Sequence, residues 1–198
     1  MSTMNARDYE ISPLAPRVQW PDADHHGHVV QFYAEDAALL DSIARFIATA
    51  LEAGDTAVVI ATQAHRDGLR QRLADRGLDV EGAIRRGHFM ALDAGDTLSK
   101  FMRDGSPDPR AFANVVGGVF DRARAVAGVG PRRVAAFGEM VALLWAEKPE
   151  AAIQLEQLWN ETWRRRIRFR CAVLIPSPVS IGTRMASCLR KSVPPMAE

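Results

Sequence analysis

Short apolar runs alternate along this chain with longer segments whose apolar residues recur every three or four positions. The first pattern is that of strands buried in a sheet, the second that of amphipathic helices. Strands are predicted at His28–Tyr33 (HVVQFY), Thr56–Ala61 (TAVVIA), His88–Leu92 (HFMAL), Arg133–Phe137 (RVAAF) and Phe169–Ile175 (FRCAVLI). Between the first two, Leu39, Leu40, Ile43, Phe46, Ile47, Ala50 and Leu51 share one helical face over residues 35–53, and Gly54 supplies a stop. A polar helix over 64–76 keeps Leu69 and Leu73 on one side and closes at Gly77. Further helices are predicted over 97–103, 109–127, 139–146 and 149–165, with Pro149 placed for a first turn, and a last short one over 182–191. The helix over 109–127 carries Phe112, Val115, Val116, Val119, Phe120 and Ala123 on one face. Its Gly117-Gly118 pair is unfavourable inside a helix, and close packing against a neighbour is the expected reason.

Strand–helix alternation of this kind predicts an α/β fold with a mostly parallel sheet and helices on both faces. Ligand sites in such sheets lie beyond the carboxyl ends of the strands. Those ends are Tyr33, Thr62, Asp93, Gly138-Glu139 and Pro176.

Composition then bounds the architecture. At 198 residues the chain fits one domain with trimmings or two very small ones. Residues 1–27, interrupted by Pro13, Pro16 and Pro21, read as an irregular lead-in, and 192–198, with Pro194-Pro195, as a tail. That leaves one domain over 28–191. Hydrophobic residues make up 47% and charged residues 25%, enough apolar surface for a core and too much for a wholly disordered chain. The net charge of +1 argues against a dedicated polyanion binder. Cys171 and Cys188 cannot make a disulfide framework and are expected as free thiols. The N-terminus lacks an apolar signal region, and no apolar run approaches the roughly 20 residues that cross a bilayer. A cytoplasmic location without membrane contact is the expectation.

Several motifs are absent. No GxxxxGK[ST] phosphate loop exists, and Tyr33-Ala34-Glu35-Asp36-Ala37, where one would follow the first strand, offers two carboxylates instead. GxGxxG, GxSxG, HExxH and CxxC are also missing, which removes most support for dehydrogenase, hydrolase and zinc readings.

Four groups of residues could carry chemistry. His25, His26 and His28, with Asp24, are spaced closely enough for metal ligation, although a solvated lead-in explains them as well. Glu139, with Met140 after it, directly follows a buried strand and could orient a ligand; it could equally complement the dipole of the next helix. Glu156 falls near the border of the apolar stripe formed by Ala152, Leu155, Trp159, Thr162 and Trp163, where a surface ion pair is the plainer role. Phe32, Tyr33, Trp145, Trp159 and Trp163 could wall an apolar pocket, but aromatics at helical spacing more often build the core. The basic run Arg164–Arg170 has no recognition-helix motif beside it, so direct DNA binding is not expected. Cys171, inside an apolar strand, reads as a small buried hydrophobe.

The order of these features resembles one known family. His28 heads a strand ending in Phe32-Tyr33; a long helix ends in Leu51-Glu52-Ala53-Gly54-Asp55 before the strand Val58-Val59-Ile60-Ala61-Thr62. Phe137-Gly138-Glu139-Met140, then Leu155-Glu156 with Trp159-Asn160, then Cys171 follow in turn. This is similar to the MEDS family, the methanogen/methylotroph DcmR-type sensory domain, over about residues 25–180. The resemblance implies a RecA-like three-layer α/β sandwich whose phosphate loop is lost. It also implies a sensory module for small organic or hydrocarbon-like ligands, working beside a histidine kinase or a transcription regulator. His28, Tyr33, Glu139 and Glu156 match the family's recurring positions and are expected in a ligand-binding or structural polar network. Met140, Trp145, Trp159 and Cys171 complete the expected ligand-binding set. The aromatic that commonly follows the late cysteine by two residues is Val173 here, a departure that weakens a Cys/Tyr-type wall.

The leading expectation is therefore a stand-alone sensor that binds a small molecule and signals to a protein partner, with no cofactor named by the sequence and homodimerisation left open. A nucleotide-binding protein or enzyme with a modified RecA-like site, using Arg132, Arg133 or Arg164–Arg170 in place of the missing lysine, is the second reading. A ligand-free interaction adaptor is the third. Catalysis is the less expected role.

Overall fold

The computed structural model describes residues 27–33, 36–128, 133–145, 147–164 and 169–176. Five parallel strands form the main sheet: β1 (Gly27–Tyr33), β2 (Thr56–Ala61), β3 (Phe89–Asp93), β6 (Val134–Gly138) and β7 (Phe169–Pro176). Their spatial order is β1-β7-β6-β2-β3. Two two-residue strands, β4 (Met102–Arg103) and β5 (Ser106–Pro107), make a separate hairpin. The helices are α1 (Asp36–Glu52), α2 (Gln63–Asp75), α3 (Val80–Arg85), α4 (Ala94–Phe101), α5 (Pro109–Ala127), α6 (Met140–Trp145) and α7 (Pro149–Arg164). The α/β sandwich expected from the alternation is the fold observed. The short helix expected over 182–191 lies outside the described residues.

Strand pleating divides the interior into two cores. Along β2, Ala57, Val59 and Ala61 face α1, α2 and α3, whereas Val58 and Ile60 face α4, α5, α6 and α7. β6 repeats the division, with Ala135 and Phe137 on the first side and Val134 and Ala136 on the second. Every residue of β2 and β6 is buried, which is why both read as continuous apolar runs rather than alternating ones. β3 lies at the sheet's edge, and beyond Phe89 its residues are only partly buried.

Local signals set the helix ends. Past α1, Gly54 takes a positive φ of 78°. Its N–H donates to Leu51 O and the Asp55 N–H donates to Ala50 O, closing the helix as a Schellman motif. Asp79, Asp93 and Asp108 each accept a backbone N–H three residues on, at the starts of α3, α4 and α5.

The expectation for Gly117-Gly118 is corrected by the structure. Among the described residues, a Cβ at Gly117 would meet no atom within 4 Å, and one at Gly118 only the flexible end of Arg122 at 3.9 Å. Among the described residues no close backbone approach explains the pair. Gly118→Ala is accordingly expected to stabilise the protein by about 0.5–1 kcal/mol, through the lower helix propensity of glycine and its larger unfolded-state entropy. A rise in thermal midpoint checks this; a fall would show that the position needs glycine.

Candidate functional site

The connections leave β2 and β6 in opposite directions. β2 continues into α2 and then to the edge strand β3; β6 continues into α6 and α7 and then to β7 on its other side. Adjacent strands whose chains diverge in this way open a crevice at their carboxyl ends, the place where α/β sheets bind ligands. In this sheet that switch point lies between Thr62, after β2, and Glu139, after β6.

Glu139 occupies it. Its N–H donates to Ile60 O at 2.9 Å, extending the β6–β2 pairing by one residue, and its carbonyl accepts the Leu143 N–H, starting α6. The side chain is buried. Its Oε2 accepts the Thr62 N–H at 2.7 Å, and its Oε1 is in contact with His65 Nδ1. A carboxylate only accepts, so Nδ1 is the ring nitrogen that carries the hydrogen. Thr62 is the N-cap residue of α2, and its own side chain makes no cap hydrogen bond. The Glu139 carboxylate therefore sits at the positive end of the α2 dipole, where an external anion would otherwise be favoured. On the far side of the ring, His65 Nε2 is 3.9 Å from Asp36 Oδ1 in the first turn of α1, too long for a direct hydrogen bond.

A second contact runs beside the first. Arg66 Nη2 donates to Asp93 Oδ2 at 2.8 Å, while Asp93 Oδ1 accepts the Asp96 N–H at 2.9 Å and so caps α4. That backbone N–H holds the Asp93 carboxyl below the usual carboxylate range, and the Arg66 guanidinium adds to the effect against desolvation. Arg66 Nε is buried without a hydrogen-bond partner among the described residues.

The structure separates the residues singled out by sequence. Met140, Trp145 and Trp159 are buried in the apolar core shared by α4, α5, α6 and α7. Trp159 packs edge-on against Phe112 and Phe120, as a core aromatic does. Glu156 is 2% exposed on α7, so it is no surface ion pair. The Glu139 carboxylate is engaged by Thr62 and His65. In the backbone register His28 pairs with Cys171, and Cys171 with Ala136, two residues before the end of β6. Tyr33 pairs with Pro176 at the carboxyl end. The side chains of His28, Tyr33 and Cys171 lie outside the described residues, as do Asp24, His25 and His26.

Sequence reasoning missed His65 and Arg66. The available signal was position: both fall within the first turn after the carboxyl end of β2. Among the described residues no group of three or more His, Cys, Asp or Glu side chains is arranged to hold a metal ion. An open groove of about 480 Å³ between α2 and α3, lined in part by Asp67, Arg70, Leu78 and Glu81, shares no residue with the Glu139 cluster. Among the described residues no helix is long and apolar enough to cross a membrane.

Comparison with family profiles matches residues 27–172 to MEDS, the MEthanogen/methylotroph, DcmR Sensory domain. The chain belongs to the MEDS family. The matched span opens on β1 and closes within β7, so it includes at least part of every strand of the main sheet, together with Thr62, His65 and Glu139. No curated protein and no solved structure matched the chain. Membership assigns this MEDS chain a sensory role.

Proposed function

We propose that this MEDS chain senses a small organic ligand at the carboxyl edge of its sheet, beside Glu139 and His65, and passes the bound state to a signalling partner. A histidine kinase or a transcription regulator fits that role, in the cytoplasm, with residues 28–191 acting as one sensory unit. The carrying observation is the convergence of Thr62, His65 and Glu139 on the crevice between β2 and β6. The buried Arg66 Nε beside it leaves a donor for a ligand acceptor group. Binding there would act by population shift, favouring one arrangement of the helices that start at the edge.

A nucleotide is the weaker reading. The first turn of α1, where a phosphate loop would deliver its helix, carries Asp36, and α2 already has the Glu139 carboxylate at its N-terminus. The adaptor reading lacks an apolar surface: among the described residues the only exposed large hydrophobic is Leu143.

Native mass spectrometry and a thermal-shift panel test the proposal. The panel holds small apolar and polar organic molecules beside ATP, GTP and cyclic dinucleotides. An organic ligand is expected to raise the thermal midpoint, and the shift to be lost in His65→Ala. Shifts confined to the nucleotides would overturn the ligand class. A shift of equal size in His65→Ala would overturn the site.

A further inference from the structure

Two consecutive residues of α2 reach across the sheet edge to the starts of two helices on the opposite face. His65 meets Glu139, from which α6 begins; Arg66 meets Asp93, the N-cap of α4. α2 belongs to one apolar core, whereas α4 and α6 belong to the other, and the two cores share no residue. The contacts are also separate from each other. Glu139 lies 74 residues from His65 in sequence, and Asp93 lies 27 from Arg66. Each acid has a second task at its helix start. Asp93 caps α4 with its other oxygen, and the Glu139 carbonyl accepts the first bond of α6.

From this geometry we infer that the first turn of α2 is a coupling element between the two faces, with His65 reading the position of α6 and Arg66 that of α4. A shift of α6 carries Glu139 with it and so acts on His65 and on the Thr62 N–H. A shift of α4 acts on Arg66 in the same way. The second nitrogen of His65, 3.9 Å from Asp36, extends the first route towards α1. His65 and Arg66 are positioning residues in this scheme. Coupling of this kind is reciprocal, so loosening α2 must loosen the helix start that its side chain holds.

Hydrogen exchange on the full chain tests the inference without a ligand, so its failure leaves the proposed sensing site untouched. In His65→Ala, amides of Met140–Trp145 are expected to exchange at least about threefold faster than in the parent, with Ala94–Phe101 unchanged. In Arg66→Ala the pattern reverses. Arg66→Lys, which keeps the charge, is expected to restore part of the protection. A purely structural loss predicts faster exchange everywhere, as Leu69→Ala in the buried face of α2 should show. The inference fails if both polar variants loosen α4 and α6 alike, or if neither helix responds.

Discussion

Replacing Glu139 by alanine is expected to lower the stability of this protein by about 3 kcal/mol, the range found when one partner of a buried charged contact is removed. The side chain is buried, and removing it strands two donors at once, the Thr62 N–H and His65 Nδ1. Water cannot readily replace it, because the strand residues that lead up to the site, Ile60 and Ala61 on β2 and Phe137 on β6, are themselves buried. Three small losses add up: the desolvated Thr62 amide, the histidine left without its carboxylate, and the stabilising charge at the α2 N-terminus. Glu139→Gln separates them. Glutamine keeps a carbonyl acceptor for one donor but presents an amide N–H₂ to the other, so a loss of about 1–2 kcal/mol is expected. Urea denaturation measures both, read as a lower midpoint at constant slope. A loss below about 1 kcal/mol in Glu139→Ala would mean that the contacts of this carboxylate do not hold the crevice together.

That carboxylate also shows what sequence could and could not reveal. Glu139 was legible because it follows a short run with no polar residue, Val134–Gly138, and the carboxyl end of such a strand is a fixed place in an α/β sheet. His65 was not. It sits in a polar helix and acquires meaning only because β2 and β6 are neighbours, a pairing decided by crossovers and invisible to local periodicity. Strand order escaped for the same reason, since the apolar runs of β2, β6 and β7 look alike and nothing local says which pair. Shorter elements failed differently. α3 spans six residues, too few to display a helical period. The hairpin of β4 and β5 did carry a signal: Asp104 and Gly105 both take positive φ, the Asp-Gly turn that joins two antiparallel strands. The helix expected over 97–103 instead takes in Met102–Arg103, the first strand of that hairpin, whereas α4 ends at Phe101. The glycine pair of α5 was visible too, but its expected cause was wrong, because packing space is a property of neighbours that a sequence does not name.

The largest expected effect belongs to a residue first considered as a pocket wall. Trp159→Ala is expected to destabilise the protein by about 3–5 kcal/mol, the range for removing a buried tryptophan. Trp159 is 3% exposed and stands in a chain of edge-to-face aromatic contacts running Phe101–Phe112–Trp159–Phe120. Its ring centroid lies 5.5 Å from that of Phe112 at an interplanar angle of 79°, and 6.0 Å from that of Phe120 at 85°. These are the geometries in which the positive edge of one ring meets the negative face of another. The chain ties α7 to α5 and, through Phe101, to the end of α4, so the cavity left by alanine would be bounded by three helices that cannot all close on it. A ligand-facing wall behaves otherwise. One face of such a side chain already borders open space, and truncation there should cost less than about 1.5 kcal/mol while weakening ligand binding directly. The double variant Phe112→Ala/Trp159→Ala sharpens the distinction: contact partners in one core should lose less together than the sum of their separate losses, by about 0.5–1.5 kcal/mol. A small loss in Trp159→Ala, additive with that of Phe112→Ala, would return Trp159 to the site; a large and non-additive one fixes it as the packing on which the α6 and α7 side of the sensor rests.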